Sequence, residues 1–159
     1  MSLDQWILAL HVLGAFAVVG AIAFFAVTII AGLGVERPST TLELTRIAKV
    51  PNVMIMVGMP MTLVFGIWLA ISLDAYQPWD GWIIAAYVLW AVAGGTGARG
   101  GEAYQRAATR ARELVTAGND EPNAELASLL RDRTSLTLNL ISTVATLLLL
   151  LDMIWKPGA

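Results

Sequence analysis

The sequence predicts an all-α protein: a four-transmembrane-helix bundle with a cytoplasmic helical hairpin that extends spans three and four. Two features of the composition predict this fold class. Hydrophobic residues make up 57% of the 159 residues and charged residues only 14%, with a mean hydropathy of +0.70, whereas soluble domains carry about 25% charged residues. The charges are also spaced so that they leave four long uncharged stretches. We treat residues 1–159 as a single integral membrane domain.

The uncharged stretches place the four spans at about 6–33, 50–73, 81–98 and 134–151. A helix needs roughly 17 to 25 residues to cross the hydrocarbon core of a bilayer, and each stretch is long enough. The first is long enough to tilt or to project beyond the lipid. No Lys or Arg precedes it, so we interpret it as a retained helix and not as a cleaved signal peptide.

The basic residues predict the orientation in the membrane. Nine of the ten Lys and Arg residues lie in the loops 34–49 and 99–133, and the tenth is Lys156. The positive-inside rule therefore predicts that both loops are cytoplasmic and that both termini lie outside. Amphipathic aromatic residues prefer the membrane boundary, and five of them fall at the predicted outer ends: Trp6, Tyr76, Trp79, Trp82 and Trp155.

The two cytoplasmic loops contain helical signals. Within 34–49, Pro38 opens a brief helix. Within 99–133, apolar residues repeat at helical spacing until Gly118, a natural residue for a helix end, and the turn chemistry of 119–123 follows. A second apolar face then leads into span four. The resulting hairpin either packs only on itself or docks against a partner or another protomer.

Polar residues inside the spans are the candidate functional groups, because polar groups in lipid usually face the bundle interior. His11, the only histidine, is a candidate ligand of haem or a metal, or a satisfied imidazole near the outer surface. Span four carries a polar interior stripe that predicts either helix packing or a polar cavity: Ser135, Asn139, Ser142, Thr143 and Thr146. Span two holds four Met residues, but helical geometry sends Met54 and Met61 to one face and Met56 and Met59 to the other.

The stretch from Gly95 to Gly100 is formally a G-x-G-x-x-G. A dinucleotide-binding turn needs a short strand before it, and here a helix of bilayer length precedes it. We therefore expect no nucleotide and predict close packing or a hinge at the glycines of this stretch: Gly94, Gly95, Gly97, Gly100 and Gly101. With a net charge of −2 and no Cys, the chain is also predicted to bind no nucleic acid and to use no thiolate chemistry.

The start of span one, Leu10-His11-Val12-Leu13-Gly14-Ala15, resembles a family of small bacterial four-span integral membrane proteins with no established activity. The 51–66 stretch, followed by Ile67-Trp68-Leu69, and the short Trp-containing outer loop resemble that family too. The family is distantly similar to the copper-resistance D type and the membrane protoporphyrinogen oxidase J type proteins. In the oxidase type the first-span His is implicated in haem binding, and the resemblance would place that role on His11.

The sequence leads to one leading hypothesis and two alternatives. The leading hypothesis is a non-enzymatic multi-pass inner-membrane protein, with no catalytic residues and no cofactor, that acts in the bilayer as a homo-oligomer or as an accessory subunit of a membrane-protein partner. Small-residue spacings such as Ala91-xxx-Gly95 would allow close helix contact. The first alternative is a haem- or copper-linked redox protein that uses His11. The second is a small-solute carrier, which a polar cavity along the Asn139 stripe would favour.

Overall fold

The computed structural model describes residues 2–72 and 76–157, and these residues form seven helices. In chain order the helices are α1 (Leu3–Gly32), α2 (Pro38–Ile47), α3 (Lys49–Ser72), α4 (Gly81–Gly100), α5 (Glu102–Thr116), α6 (Ala124–Leu130) and α7 (Arg133–Trp155). In the described ranges four helical segments are long and apolar enough to cross a membrane, one each around α1, α3, α4 and α7. The predicted all-α four-helix architecture is confirmed, and the chain is a multi-pass membrane protein.

The four spans begin and end close to the predicted limits, and local capping explains the differences. α1 starts at Leu3 because Ser2 and Gln5 form a capping box, in which each side chain accepts a hydrogen bond from the other residue's backbone N–H. α7 starts at Arg133 because the Asp132 carboxylate accepts the Ser135 N–H at 2.7 Å. The last residue of the predicted second span, residue 73, lies outside the described residues.

Helices α1 and α3 form one tightly packed pair, and glycines set their closest approach. A Cβ placed on Gly58 would lie 2.9 Å from the carbonyl oxygen of Gly14, and a Cβ on Gly14 would lie 2.9 Å from the Cβ of Met61. These two glycines therefore let the backbones meet directly. Without a hydrophobic driving force between helices in lipid, such close packing is what holds spans together.

Helices α4 and α7 form the second pair. A Cβ on Gly97 would lie 2.9 Å from the Ser142 hydroxyl oxygen, and a Cβ on Gly100 would lie 2.8 Å from the Asn139 Nδ2. The glycine face of α4 thus receives polar side chains of α7. The two pairs touch each other less closely, and this difference leaves room between them.

Helices α2, α5 and α6 form a small helical cap at the end of the bundle opposite the two termini. Leu42 of α2 packs against a core of Ala111, Leu114 and Leu126. Two helices, α5 and α6, lie in the region of the predicted hairpin, and Gly118 follows the first of them as predicted, with a φ of 74°. Two features were not predicted: α2 is a third member of the cap, and the chain leaves helical structure between α6 and α7 instead of running straight into span four.

Polar contacts fasten α2 to the rest of the cap. The Asp120 carboxylate accepts hydrogen bonds from the Ser39 N–H at 2.8 Å and from the Ser39 hydroxyl at 2.9 Å. Arg131 donates to the Leu33 carbonyl at 2.7 Å and pairs with Glu36 at 3.1 Å. These contacts tie the turn after α5 to the first turn of α2, and the end of α6 to the segment that joins α1 to α2.

Candidate functional site: a cavity between the helix pairs

A cavity of about 290 Å³ lies between the α1–α3 pair and the α4–α7 pair, in the half of the bundle near the termini. All four spans contribute to its wall, which is mostly aliphatic and aromatic. Ligand pockets are typically lined by apolar side chains with a few polar groups, in volumes of about 300–1,000 Å³. The cavity volume is just below that range, and the cavity is the candidate functional site.

His11 lines the cavity from α1 and is held by α3. Its Nδ1 lies 2.9 Å from the backbone carbonyl oxygen of Thr62. A carbonyl can only accept, so Nδ1 is the protonated nitrogen that donates, and the Nε2 of the neutral ring carries a free lone pair. Gly66 permits this position, because a Cβ there would lie 3.0 Å from His11 Cε1.

A tryptophan closes the side of the cavity between α3 and α4. The indole N–H of Trp90 donates to the Met59 carbonyl at 3.1 Å, which is a direct link between the two helix pairs. Met59 and Trp90 both line the cavity. No hydrogen bond joins α1 to α7 within residues 2–72 and 76–157. A hydrogen bond therefore links the helices on the α3–α4 side of the cavity, and none links them on the α1–α7 side.

The mouth of the cavity, near the termini, carries the remaining polar groups. Lys156 Nζ donates to the Tyr76 hydroxyl at 2.8 Å and lies 4.5 Å from the centroid of the Tyr76 ring. Tyr76 and Trp82 meet edge to face, with their ring centroids 5.3 Å apart. The Trp82 Nε1 is buried and has no hydrogen-bond partner among the described residues. We call Tyr76, Trp82 and Lys156 the mouth cluster.

The methionines of α3 do not assemble into one site. Met54 lies against the position of Gly20 in α1, Met61 lies against Gly14, Met56 is exposed, and Met59 alone of the four lines the cavity. Among the described residues no group of three or more His, Asp or Glu side chains could hold a metal ion. His11 is thus a polar residue of the cavity wall, and its Nε2 makes no hydrogen bond to the described residues.

The polar stripe of α7 divides into two parts. The Ser135 hydroxyl and Asn139 Nδ2 donate to the Gly100 carbonyl, the latter at 3.1 Å, and the Ser142 hydroxyl donates to the Ala93 carbonyl at 2.7 Å. Thr143 and Thr146 instead donate to carbonyls of their own helix. Of the stripe, Thr146 lines the cavity. The first three residues therefore pack α7 on α4, and no polar cavity follows Asn139 in the described part of the chain.

The glycine-rich stretch is helical. α4 continues through Gly94, Gly95 and Gly97 to Gly100, and α5 starts only one residue later, after Gly101. This agrees with the expectation that the G-x-G-x-x-G is not a turn after a strand. Gly97 and Gly100 serve helix packing, whereas nothing lies within 4 Å of a Cβ on Gly95. A hinge at these glycines stays a prediction.

The sequence did not single out Thr62, Trp90 or Lys156 as site residues. Tyr76 and Trp82 were assigned to the aromatic belt together with three other aromatic residues. The structure separates the two kinds, because Trp6, Trp79 and Trp155 are exposed whereas Tyr76 and Trp82 line the cavity. The exposed aromatic residues and the cavity-lining ones lie at the same membrane boundary, so this position does not distinguish them. The one sequence feature that could have marked Tyr76 and Trp82 as site residues was that Lys156 lies at the same predicted membrane face.

Comparisons with known proteins give no identification, since no protein-family model, no curated protein and no solved structure matches the chain. The resemblance to the copper-resistance D and protoporphyrinogen oxidase J types stays a proposal. The site itself therefore carries the functional interpretation.

Proposed function

We propose that the chain is a non-enzymatic accessory protein of the bacterial inner membrane that holds a lipid-soluble ligand in the cavity between its two helix pairs. The observation that carries this proposal is the cavity: about 290 Å³, with mostly apolar walls, a histidine among its lining residues and a polar cluster at its mouth. Helix pairs that packed fully against each other would leave no such space. A preformed apolar pocket with few polar groups is the usual form of a binding site.

The proposed orientation puts the mouth of the cavity outside and the helical cap in the cytoplasm. The basic residues support it, because nine of ten lie in or beside the cap and Lys156 alone lies at the other end. Trp6, Trp79 and Trp155, exposed near the termini, support a membrane boundary there. Loops 34–49 and 99–133 are then cytoplasmic.

The proposal includes self-association or association with a membrane-protein partner. Ala91, Gly95 and Ala98 lie on one exposed face of α4, and a Cβ on Gly95 would meet nothing within 4 Å. Small residues at this spacing let another helix approach closely in lipid. Cross-linking through a cysteine at Ala91 in native membranes tests this part, because a strictly monomeric, partnerless protein would contradict it.

The binding proposal is tested by filling the cavity. Ala15 lines it from α1, whereas Ala23 of the same helix faces outward. We expect protein purified in mild detergent to retain co-purifying lipid-soluble molecules, which organic extraction and mass spectrometry would quantify per mole of protein. Ala15→Phe should lose them and the matched control Ala23→Phe should keep them. Equal retention by both variants would contradict the proposal.

A second candidate function, a haem- or copper-linked redox protein, is favoured by the free Nε2 of His11. A histidine that donates its Nδ1–H to a backbone carbonyl is oriented in the way that metal-ligating histidines usually are. Met59 lines the same cavity and would offer a soft second ligand for haem or copper. A visible absorption spectrum decides between the two functions: a Soret band that His11→Ala abolishes supports haem, and a colourless, metal-free protein refutes the redox function.

A further inference from the structure

We infer that the cavity receives one acyl chain of an anionic phospholipid from the surrounding bilayer, and that Lys156 binds the phosphate of that lipid at the mouth. This inference rests on the proposed function and names its ligand. The observation that supports it is the mouth cluster, in which the positively charged Lys156 lies beside Tyr76 and Trp82 at the opening of the apolar cavity.

Aromatic rings fix the position of the Lys156 ammonium. Its Nζ lies 4.5 Å from the Tyr76 ring centroid and 5.6 Å from the Trp82 ring, and one of its N–H groups donates to the Tyr76 hydroxyl. A cation over aromatic faces is stabilised there without being neutralised. An ammonium has three donors, so donors are left for a ligand, and the buried indole N–H of Trp82 is a further donor that has no partner among the described residues.

The positive charge of Lys156 is not compensated by a carboxylate of the described chain. The three ion pairs in the described ranges involve Arg110 and Arg131, at the opposite end of the molecule. At the mouth end, Asp80 accepts the Gln77 N–H. Asp152, one helical turn before Lys156, makes no ion pair with it, although its Oδ2 is buried. Among residues 2–72 and 76–157 the ammonium therefore has no anionic partner, and the phosphate of a lipid would complement its charge.

The backbone of Lys156 indicates that this side chain is used. The residue ends α7 in the left-handed conformation, with φ 42° and ψ 62°, and its N–H donates to the Asp152 carbonyl at 2.8 Å. Glycine is the usual residue at such a helix end, because a Cβ is strained there. A lysine at this position gives up backbone stability and places its ammonium over the mouth of the cavity.

The bilayer is the source because the cavity reaches the exposed surface of α1. Leu8 and Val19 both line the cavity, yet they are 50% and 37% exposed. The Trp90 bond secures the opposite side, so a chain can enter laterally from lipid. An engineered cavity of about 150 Å³ binds benzene. Twice that volume suits part of one hydrocarbon chain and excludes a whole lipid.

The experiment measures headgroup preference by native mass spectrometry. Protein in mild detergent is mixed with equal amounts of phosphatidylglycerol and phosphatidylcholine that have the same acyl chains, and the ratio of bound species is recorded. One basic residue near the membrane contributes about a fivefold preference for an anionic lipid. We expect wild type and Lys156→Arg to show that preference, and Lys156→Gln to lose it. Lys49→Gln, the same change at the opposite end of the bundle, should leave it unchanged.

Lys156→Gly provides a second variant, because it removes the charge and at the same time relieves the left-handed backbone. It should bind both lipids equally and remain folded. Binding without headgroup preference in wild type, or a preference that survives both Lys156→Gln and Lys156→Gly, overturns this inference and leaves the proposed function standing. Binding that Ala15→Phe does not reduce overturns both. Displacement of phosphatidylglycerol by equimolar oleate overturns the assignment to a phospholipid.

Discussion

The contact between α1 and α3 gives a prediction that can be worked directly from the structure. In Gly58→Ala the new Cβ would lie 2.9 Å from the Gly14 carbonyl oxygen, 3.0 Å from Val18 Cγ2 and 3.2 Å from the Ala17 Cβ. Real Cβ atoms essentially never approach under 3.0 Å, and ordinary contact begins at 3.4 Å. The backbone oxygen cannot rotate away, so the two helices must separate by about 0.5 Å, which forfeits roughly a quarter of the dispersion energy of the contacts it opens.

Gly20→Ala is the matched control within the same helix pair. Its Cβ would meet only the terminal methyl of Met54, at 3.2 Å, and that flexible side chain can move. Both changes gain about 1 kcal/mol of helix propensity, so their difference isolates the clash. Overpacking costs about 1–3 kcal/mol, and at about 2–4 °C per kcal/mol Gly58→Ala should melt several degrees below Gly20→Ala.

The assay is thermal unfolding of both variants in the same detergent, followed by circular dichroism. If unfolding is irreversible, the apparent melting temperatures of the two variants are compared at one scan rate. Equal melting temperatures, or a more stable Gly58→Ala, would refute the direct backbone contact between α1 and α3.

Three further predictions follow from the cap and the second helix pair. A cysteine at Asn119 should react with a membrane-impermeant thiol reagent only from the cytoplasmic side, and labelling from outside would reverse the proposed orientation. Hydrogen bonds from Ser39 hold the pKa of the Asp120 carboxyl below its usual value, so the stabilisation from this contact is present above the unfolded pKa and is lost as pH falls through the lower folded pKa. The difference in melting temperature between wild type and Asp120→Asn should therefore be constant above about pH 5 and narrow below about pH 4. A difference in melting temperature that widens on acidification would contradict this prediction. Asn139→Leu loses its bond to the α4 backbone and should destabilise by about 0.6–2 kcal/mol, whereas Thr143→Val, which loses only a bond within its own helix, should unfold in the same denaturation series close to wild type.

The spans were predictable because the bilayer imposes a length on every uncharged stretch. The interval between Lys49 and Asp74 is enough to predict α3. The helix end at Gly118 was also predictable, because a glycine adopts the left-handed backbone conformation that ends a helix whatever residues pack around it. These features depend on a few neighbouring residues, so a sequence contains them.

The pairing of α1 with α3 was not predictable, because their contacting faces are formed by apolar and small residues and no polarity marks the partner. That Gly58 faces Gly14, and not another span, depends on shape alone. The cavity follows from pairing and was equally hidden: His11 and Gly66 lie 55 positions apart, and only the assembled α1–α3 contact shows that one accommodates the other. The polar stripe of α7 can be identified as a set from its spacing, but which members reach α4 depends on the exact rotation of the helix.

The most direct test of the account is a photoactivatable phospholipid that carries a diazirine in its acyl chain. After illumination in reconstituted membranes, cross-linked residues are identified by mass spectrometry in wild type and in Ala15→Phe. We predict adducts on cavity residues such as Ile83 and Met153 that disappear in the variant. Adducts confined to lipid-facing residues outside the cavity, such as Phe16 and Ile84, and unchanged in Ala15→Phe, would contradict a ligand site between the helix pairs.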